Sequence, residues 1–201
     1  KKEKKNQQTG FTRKVFESKM SDEPSRSARN VCKIRLIVRA PRLLFNHESP
    51  RRGREFVTRK ITESVARIKL GLDDELKLGN VEAKRDWGYA KEYVEVMWRM
   101  LQAESPSDYV IGTGKQHSVR ECYELAFAHV GLDPAEFVTS DKSLERPAEV
   151  DTLLADPSKA ERELGWRAET SFPELVSLMV ESDLELQQKI HGIRLGSSGT
   201  R

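Results

Sequence analysis

The 201-residue chain has 35 Lys+Arg and 32 Asp+Glu, with 33% of its residues charged against 37% hydrophobic, enough for one modest core. No apolar run nears the roughly 20 residues that cross a bilayer, which argues against a spanning protein, and the first residues, KKEKKNQQTG, lack the apolar stretch of a secretory leader. Two cysteines, Cys32 and Cys122, make no disulfide framework and no metal-ligand spacing, so free thiols in a reducing, cytoplasmic compartment are expected.

The net charge of +3 conceals two unlike parts: residues 1–42 hold 13 basic and 4 acidic side chains, whereas the remainder is acidic. A basic arm of this kind can meet nucleic acid or anionic lipid. Only Phe11 and Phe16 could stack on bases and no Gly-rich pattern accompanies the charge, so a solvated, disordered arm is expected rather than a nucleic-acid binder.

In chain order, VCKIRLIV (31–38) alternates as a strand does and stops at Pro41. From Leu43 the texture becomes short strands alternating with amphipathic helices. Leu43–Asn46 is expected as a short buried strand. A helix from about Thr58 to Leu70 places Ile61, Val65 and Ile68 on one stripe, with Gly71 as its stop. Leu76–Leu78 reads as a strand. Tyr89–Ala103 reads as a helix with Tyr93, Val94, Met97, Trp98 and Leu101 in the core. DYVIGT (108–113) is a strand, and Ser118 with Glu121 forms a capping-box pattern ahead of a helix ended by Gly131, with His129 as a packed or boundary residue on its stripe. Asp156-Pro157 opens a short helix that Gly165 ends. Ser171 with Glu174 opens the last helix, through Leu175, Leu178, Met179 and Leu186, and residues 187–201 form a flexible tail. The strands are too short and the helices too many for an independent doubly wound sheet.

Chemistry-bearing motifs are largely missing. GTGKQHS (112–118) fails as a phosphate loop, because Tyr109 and Gln116 stand where a glycine and a hydroxyl are required. No glycine-rich dinucleotide turn follows a strand, and no Tyr-x-x-x-Lys pair occurs. The chain instead sets polar and cationic groups at element boundaries: Asn46, His47, Arg51 and Arg52 in NHESPRRG, then Lys60, Arg85 and Arg146. Arginine grips phosphate in two places, lysine adds a point charge, and a carboxylate such as Glu149 accepts from ribose hydroxyls, a set suited to a nucleoside diphosphate.

LFNHESPRRG, FVTRKI, ARIKLG, LGN, RDWGYA, EYVEVMW, HSVRE, RPAEVD, DPSKA and ELGW together closely resemble the GDP-mannose 4,6-dehydratase family of extended short-chain dehydrogenases/reductases, over about Leu43 to Leu184. The resemblance implies an α/β fold: part of a Rossmann-type NAD(P)-binding architecture, mainly its substrate-binding portion, over residues 43–186. It also implies a reaction in which hydride leaves mannose C4 for NADP, water is lost across C5–C6, and hydride returns to C6, starting the route to GDP-fucose. By the same resemblance His47 and Arg52 touch NADP, while Asn46, Val57, Lys60, Arg85, Arg146 and Glu149 line the GDP-mannose site. A homo-oligomer is implied for the full-length enzyme, and no membrane partner. The family's cofactor turn, its Thr and Glu of the elimination and its Tyr-x-x-x-Lys pair are not in this sequence, and residues 1–42 do not look like the family. The expectation is a truncated chain, inactive alone; the alternative is a non-catalytic GDP-sugar-binding or regulatory protein.

Overall fold

A computed structural model describes residues 42–144 and 153–193, so the strand expected at 31–38, the basic arm, Arg146 and Glu149 lie outside the described residues. The fold is mixed α/β, built on short strands in pairs. β1 (Arg42–Leu44) and β2 (Asn46–Glu48) run as one extended segment interrupted at Phe45, whose N–H donates to the Ile111 carbonyl at 2.9 Å. β3 is Leu76–Leu78, β4 Lys84–Arg85, β5 Trp87–Tyr89, β6 Tyr109–Ile111, β7 His117–Ser118 and β8 Val138–Ser140. β1 pairs with β6, β2 with β5 and β3 with β8, all parallel, and β4 pairs antiparallel with β7. Parallel strands require long crossovers, and helices supply them here.

Helix α1 (Val57–Lys69) buries Ile61, Val65 and Ile68 as its spacing foretells, and α2 is Ala90–Gln102. In α3 (Val119–Val130) the Ser118 hydroxyl accepts from the Glu121 N–H at 3.0 Å, and left-handed Gly131 (φ 69°) ends the helix. In α4 (Ser158–Leu164) the cap falls one residue later than expected, on Pro157, although Asp156 Oδ1 still accepts from the Ser158 N–H at 3.0 Å. α5 (Phe172–His191) begins with a reciprocal capping box between Ser171 and Glu174. It also runs past Leu186, so residues 187–191 continue the helix rather than a tail.

Two apolar clusters hold the elements together. The larger gathers Ile61, Val65, Leu76, Trp87, Phe127 and Val176 between α1, α3 and α5; the smaller packs Tyr93, Val96 and Met100 of α2 against Tyr109, Ile111 and Trp166. His129 is exposed, with Nε2 3.4 Å from a Glu181 carboxylate oxygen, and is not among the buried residues of α3.

Two expectations need correction. The strand at Leu43 is not buried: Leu43 is 58% exposed, because β1 has a neighbour on one edge only and nothing among the described residues covers the face opposite Leu44. On α2 the buried arc is Tyr93, Val96 and Met100, while Val94 and Trp98 stand 64% and 60% exposed. The apolar arc of α2 is wider than the surface it packs against, so two of the five expected core residues face outward. No helix among the described residues is long and apolar enough to cross a membrane.

Candidate functional site

Strand alternation decides the site. Successive side chains of β2 leave on opposite faces, so Asn46 and Glu48 face a cavity while His47 turns the other way and stacks on Tyr93, ring centroids 5.1 Å apart. The cavity, about 430 Å³, lies between β2, the start of α1, the loop after β3 and β4; its walls include Asn46, Arg52, Val57, Lys60, Asn80 and Arg85. Five of the eight residues implied from the sequence therefore share one cavity, although they span forty positions of chain. His47 lies on the far side of the strand, and Arg146 and Glu149 are outside the described residues.

Each wall group is held by local chemistry. Lys60 Nζ donates to the Lys77 carbonyl at 2.6 Å, and Arg85 Nη1 to the Lys84 carbonyl at 2.7 Å. Arg52 follows a tight turn, its N–H donating to the Ser49 carbonyl at 2.9 Å. Its guanidinium lies over the Phe56 ring, 3.4 Å from the centroid, and its Nε is 3.2 Å from Glu48 Oε2. The His47 ring meets the Phe45 carbonyl through Nδ1 at 3.0 Å; a carbonyl only accepts, so Nδ1 carries a proton.

Glu48 is the group the sequence reading missed, and alternation from Asn46 was the signal that could have found it. It is 2% exposed and takes a 2.5 Å hydrogen bond from Thr58 Oγ1. Burial raises its carboxyl above the ordinary range, opposed by the Thr58 hydrogen bond and then by the Arg52 and His47 charges. Asp86 was missed as well. It has no accessible surface and accepts from Thr113 N–H at 2.9 Å, Thr113 Oγ1 at 2.8 Å, Gly114 N–H at 3.0 Å and Ala155 N–H at 3.4 Å. It therefore ties the turn after β6 to the strand that carries Arg85.

Gly88 permits the stacking behind β2. A Cβ there would meet Tyr93 Cε2 at 2.5 Å and Thr113 Cγ2 at 3.0 Å, and the ring is buried and cannot swing away. Gly88→Ala should cost about 2 kcal/mol of unfolding free energy and move the His47 ring resonances; an unchanged urea midpoint would contradict this packing.

RMD from Pseudomonas aeruginosa, solved with NADPH, superposes with a TM-score of 0.68 at 20% identity, covering 79% of this chain and 54% of that one. The fold is that of the NAD(P)-binding extended short-chain dehydrogenases/reductases. The GDP-mannose 4,6 dehydratase family model matches residues 23–179, and the chain belongs to that family. GDP-mannose 4,6 dehydratase 1 of Arabidopsis thaliana is 53% identical over 147 residues, 73% of this chain and 41% of its own length. The Homo sapiens GDP-mannose 4,6 dehydratase is 48% identical over 163 residues, 73% of this chain and 44% of its own. The chain thus spans under half the length of these curated relatives.

Proposed function

We propose that the chain is the sugar-nucleotide-binding portion of a GDP-mannose 4,6-dehydratase, converting GDP-mannose to GDP-4-keto-6-deoxymannose and water when the rest of the fold is present. The observation that carries this reading is the single cavity gathering Asn46, Val57, Lys60 and Arg85, an anion-binding donor set beside an apolar wall. Lys60 and Arg85 would hold the diphosphate, Asn46 would bond a hydroxyl or phosphate oxygen, and Val57 would pack. Arg146 and Glu149 would belong to the same GDP-sugar site. Arg52, whose guanidinium fork suits a phosphate, and His47, on the opposite face of β2, would contact NADP. When bound, that group accepts and returns the hydride. The groups for hydride transfer and elimination belong to a part of the fold that these residues do not contain, so the chain alone binds without turnover. We further propose a cytoplasmic enzyme that self-associates when complete, without nucleic-acid or membrane partners.

Calorimetric titration of the 201-residue chain with GDP-mannose tests this. Arg85→Ala and Lys60→Ala should each weaken binding about tenfold or more, and no product should form. Equal affinity in both variants and wild type would remove the cavity as the site, and turnover by the chain alone would overturn the division of labour.

A further inference from the structure

Arg52 is engaged in an unusual way for a surface arginine. Its Nε is 3.2 Å from Glu48 Oε2, an ion pair without hydrogen-bond geometry, and the guanidinium plane rests on Phe56; among the described residues no hydrogen bond engages either Nη group at the cavity wall. Glu48 is itself fixed: it sits on β2, is 2% exposed, and receives the hydroxyl of Thr58 in the first turn of α1. A carboxylate kept out of water needs such partners, and here they join strand, loop and helix at one oxygen. An arginine on a tight loop would otherwise sample many rotamers, and a fork that must grip a phosphoryl group gains from being held beforehand.

We propose that Glu48 is a positioning residue that fixes the Arg52 guanidinium on Phe56 and so presents its terminal Nη pair to a phosphoryl group in the cavity. This rests on the nucleotide-binding reading above only for the identity of the ligand. The phosphoryl group could come from the sugar nucleotide or from the cofactor, and the test separates the two.

Arginine-selective ¹⁵N NMR on the full chain reads the arrangement without ligand. Glu48→Ala should shift the Arg52 Nε–H resonance and speed its exchange with water, and Glu48→Gln, which keeps the packing but loses the charge, should do so less. Affinities for GDP, NADP and inorganic pyrophosphate are then measured separately. Glu48→Ala and Arg52→Ala should each weaken binding about tenfold or more, and the double variant should be no weaker than Arg52→Ala alone. Phe56→Leu, which leaves the buried carboxylate untouched, should also weaken binding, and it serves should Glu48→Ala fail to fold. Loss for GDP alone assigns the clamp to the sugar nucleotide, and loss for NADP alone assigns it to the cofactor. An Arg52 resonance indifferent to Glu48, additive losses, or pyrophosphate binding that ignores Arg52 would each overturn the proposal. Arg52-dependent pyrophosphate binding without GDP or NADP binding would sustain it while refuting the function proposed above.

Discussion

Replacing Asp86 with alanine is expected to lower the unfolding free energy by roughly 3–5 kcal/mol. The carboxylate is wholly buried and its four donors come from Thr113, Gly114 and Ala155, so alanine leaves three backbone N–H groups without this acceptor, while the Thr113 hydroxyl keeps a second one in the Lys115 carbonyl at 3.2 Å. Asparagine would be a gentler change: its single carbonyl oxygen keeps part of the set, and Asp86→Asn should cost about half as much. Gly112 shows how tightly the region is built, since a Cβ there would come within 2.9 Å of Asp86 Oδ2. Urea unfolding with a common slope measures the loss. A cost below about 1 kcal/mol for the alanine variant would mean that water replaces the carboxylate and that Asp86 does not knit the site. Because Arg85 is its chain neighbour, GDP affinity should fall in the same variants, with the asparagine again intermediate.

Why Asp86 escaped the sequence reading is instructive. In KRDWGY it looks like one more surface charge, and its partners lie 27, 28 and 69 positions away, beyond any local pattern. The same nonlocality hid β5: Trp87-Gly88-Tyr89 has no alternation worth reading, and it becomes a strand through parallel pairing with β2 and the stacking of Tyr93 against Gly88. What was legible was chemistry settled within a few residues. Ser118 with Glu121 and Ser171 with Glu174 cap as written, and Gly131 and Gly165 stop their helices in the left-handed region. The α2 stripe shows the limit of periodicity, which identifies an apolar arc but not how much of it finds a partner. In the cavity, Asn46, Arg52, Lys60 and Arg85 stood out as polar and cationic groups at element boundaries, and Val57 through family motifs alone. Glu48 and the turning away of His47 required only the alternation of β2, once its register with Trp87-Gly88-Tyr89 was known.

Arg59→Met is the second change expected to cost roughly 3–5 kcal/mol at neutral pH, because it strands a buried carboxylate. Arg59 Nη2 lies 2.5 Å from Asp183 Oδ1, both side chains are buried, and Thr62 Oγ1 donates to the other Asp183 oxygen at 2.7 Å. Burial nonetheless dominates and pushes the Asp183 carboxyl up from 3.8 to about 6, against the pull of the Thr62 hydrogen bond and Arg59. A raised folded value means the native state holds the proton more tightly. This contribution to stability is therefore complete below about pH 4 and is lost as pH rises through about 6, roughly 2–3 kcal/mol over the window. Asp183→Asn should flatten that part of the stability curve, and Arg59→Met should cost less at pH 5 than at pH 7.5, since the stranded acid is then neutral. Arg59→Met combined with Asp183→Leu should recover most of the loss; a double variant as unstable as Arg59→Met alone would show that packing rather than charge was removed. The pair also bears on the site, because Arg59 Nη1 donates to the Pro50 carbonyl in the loop that carries Arg52. Through one guanidinium, α5 holds the loop from below while Glu48 holds it from the cavity side. Arg59→Met should then lower GDP affinity even at pH 5, where its stability cost is smallest, whereas Asp183→Asn, which keeps the Pro50 contact, should leave that affinity nearly unchanged.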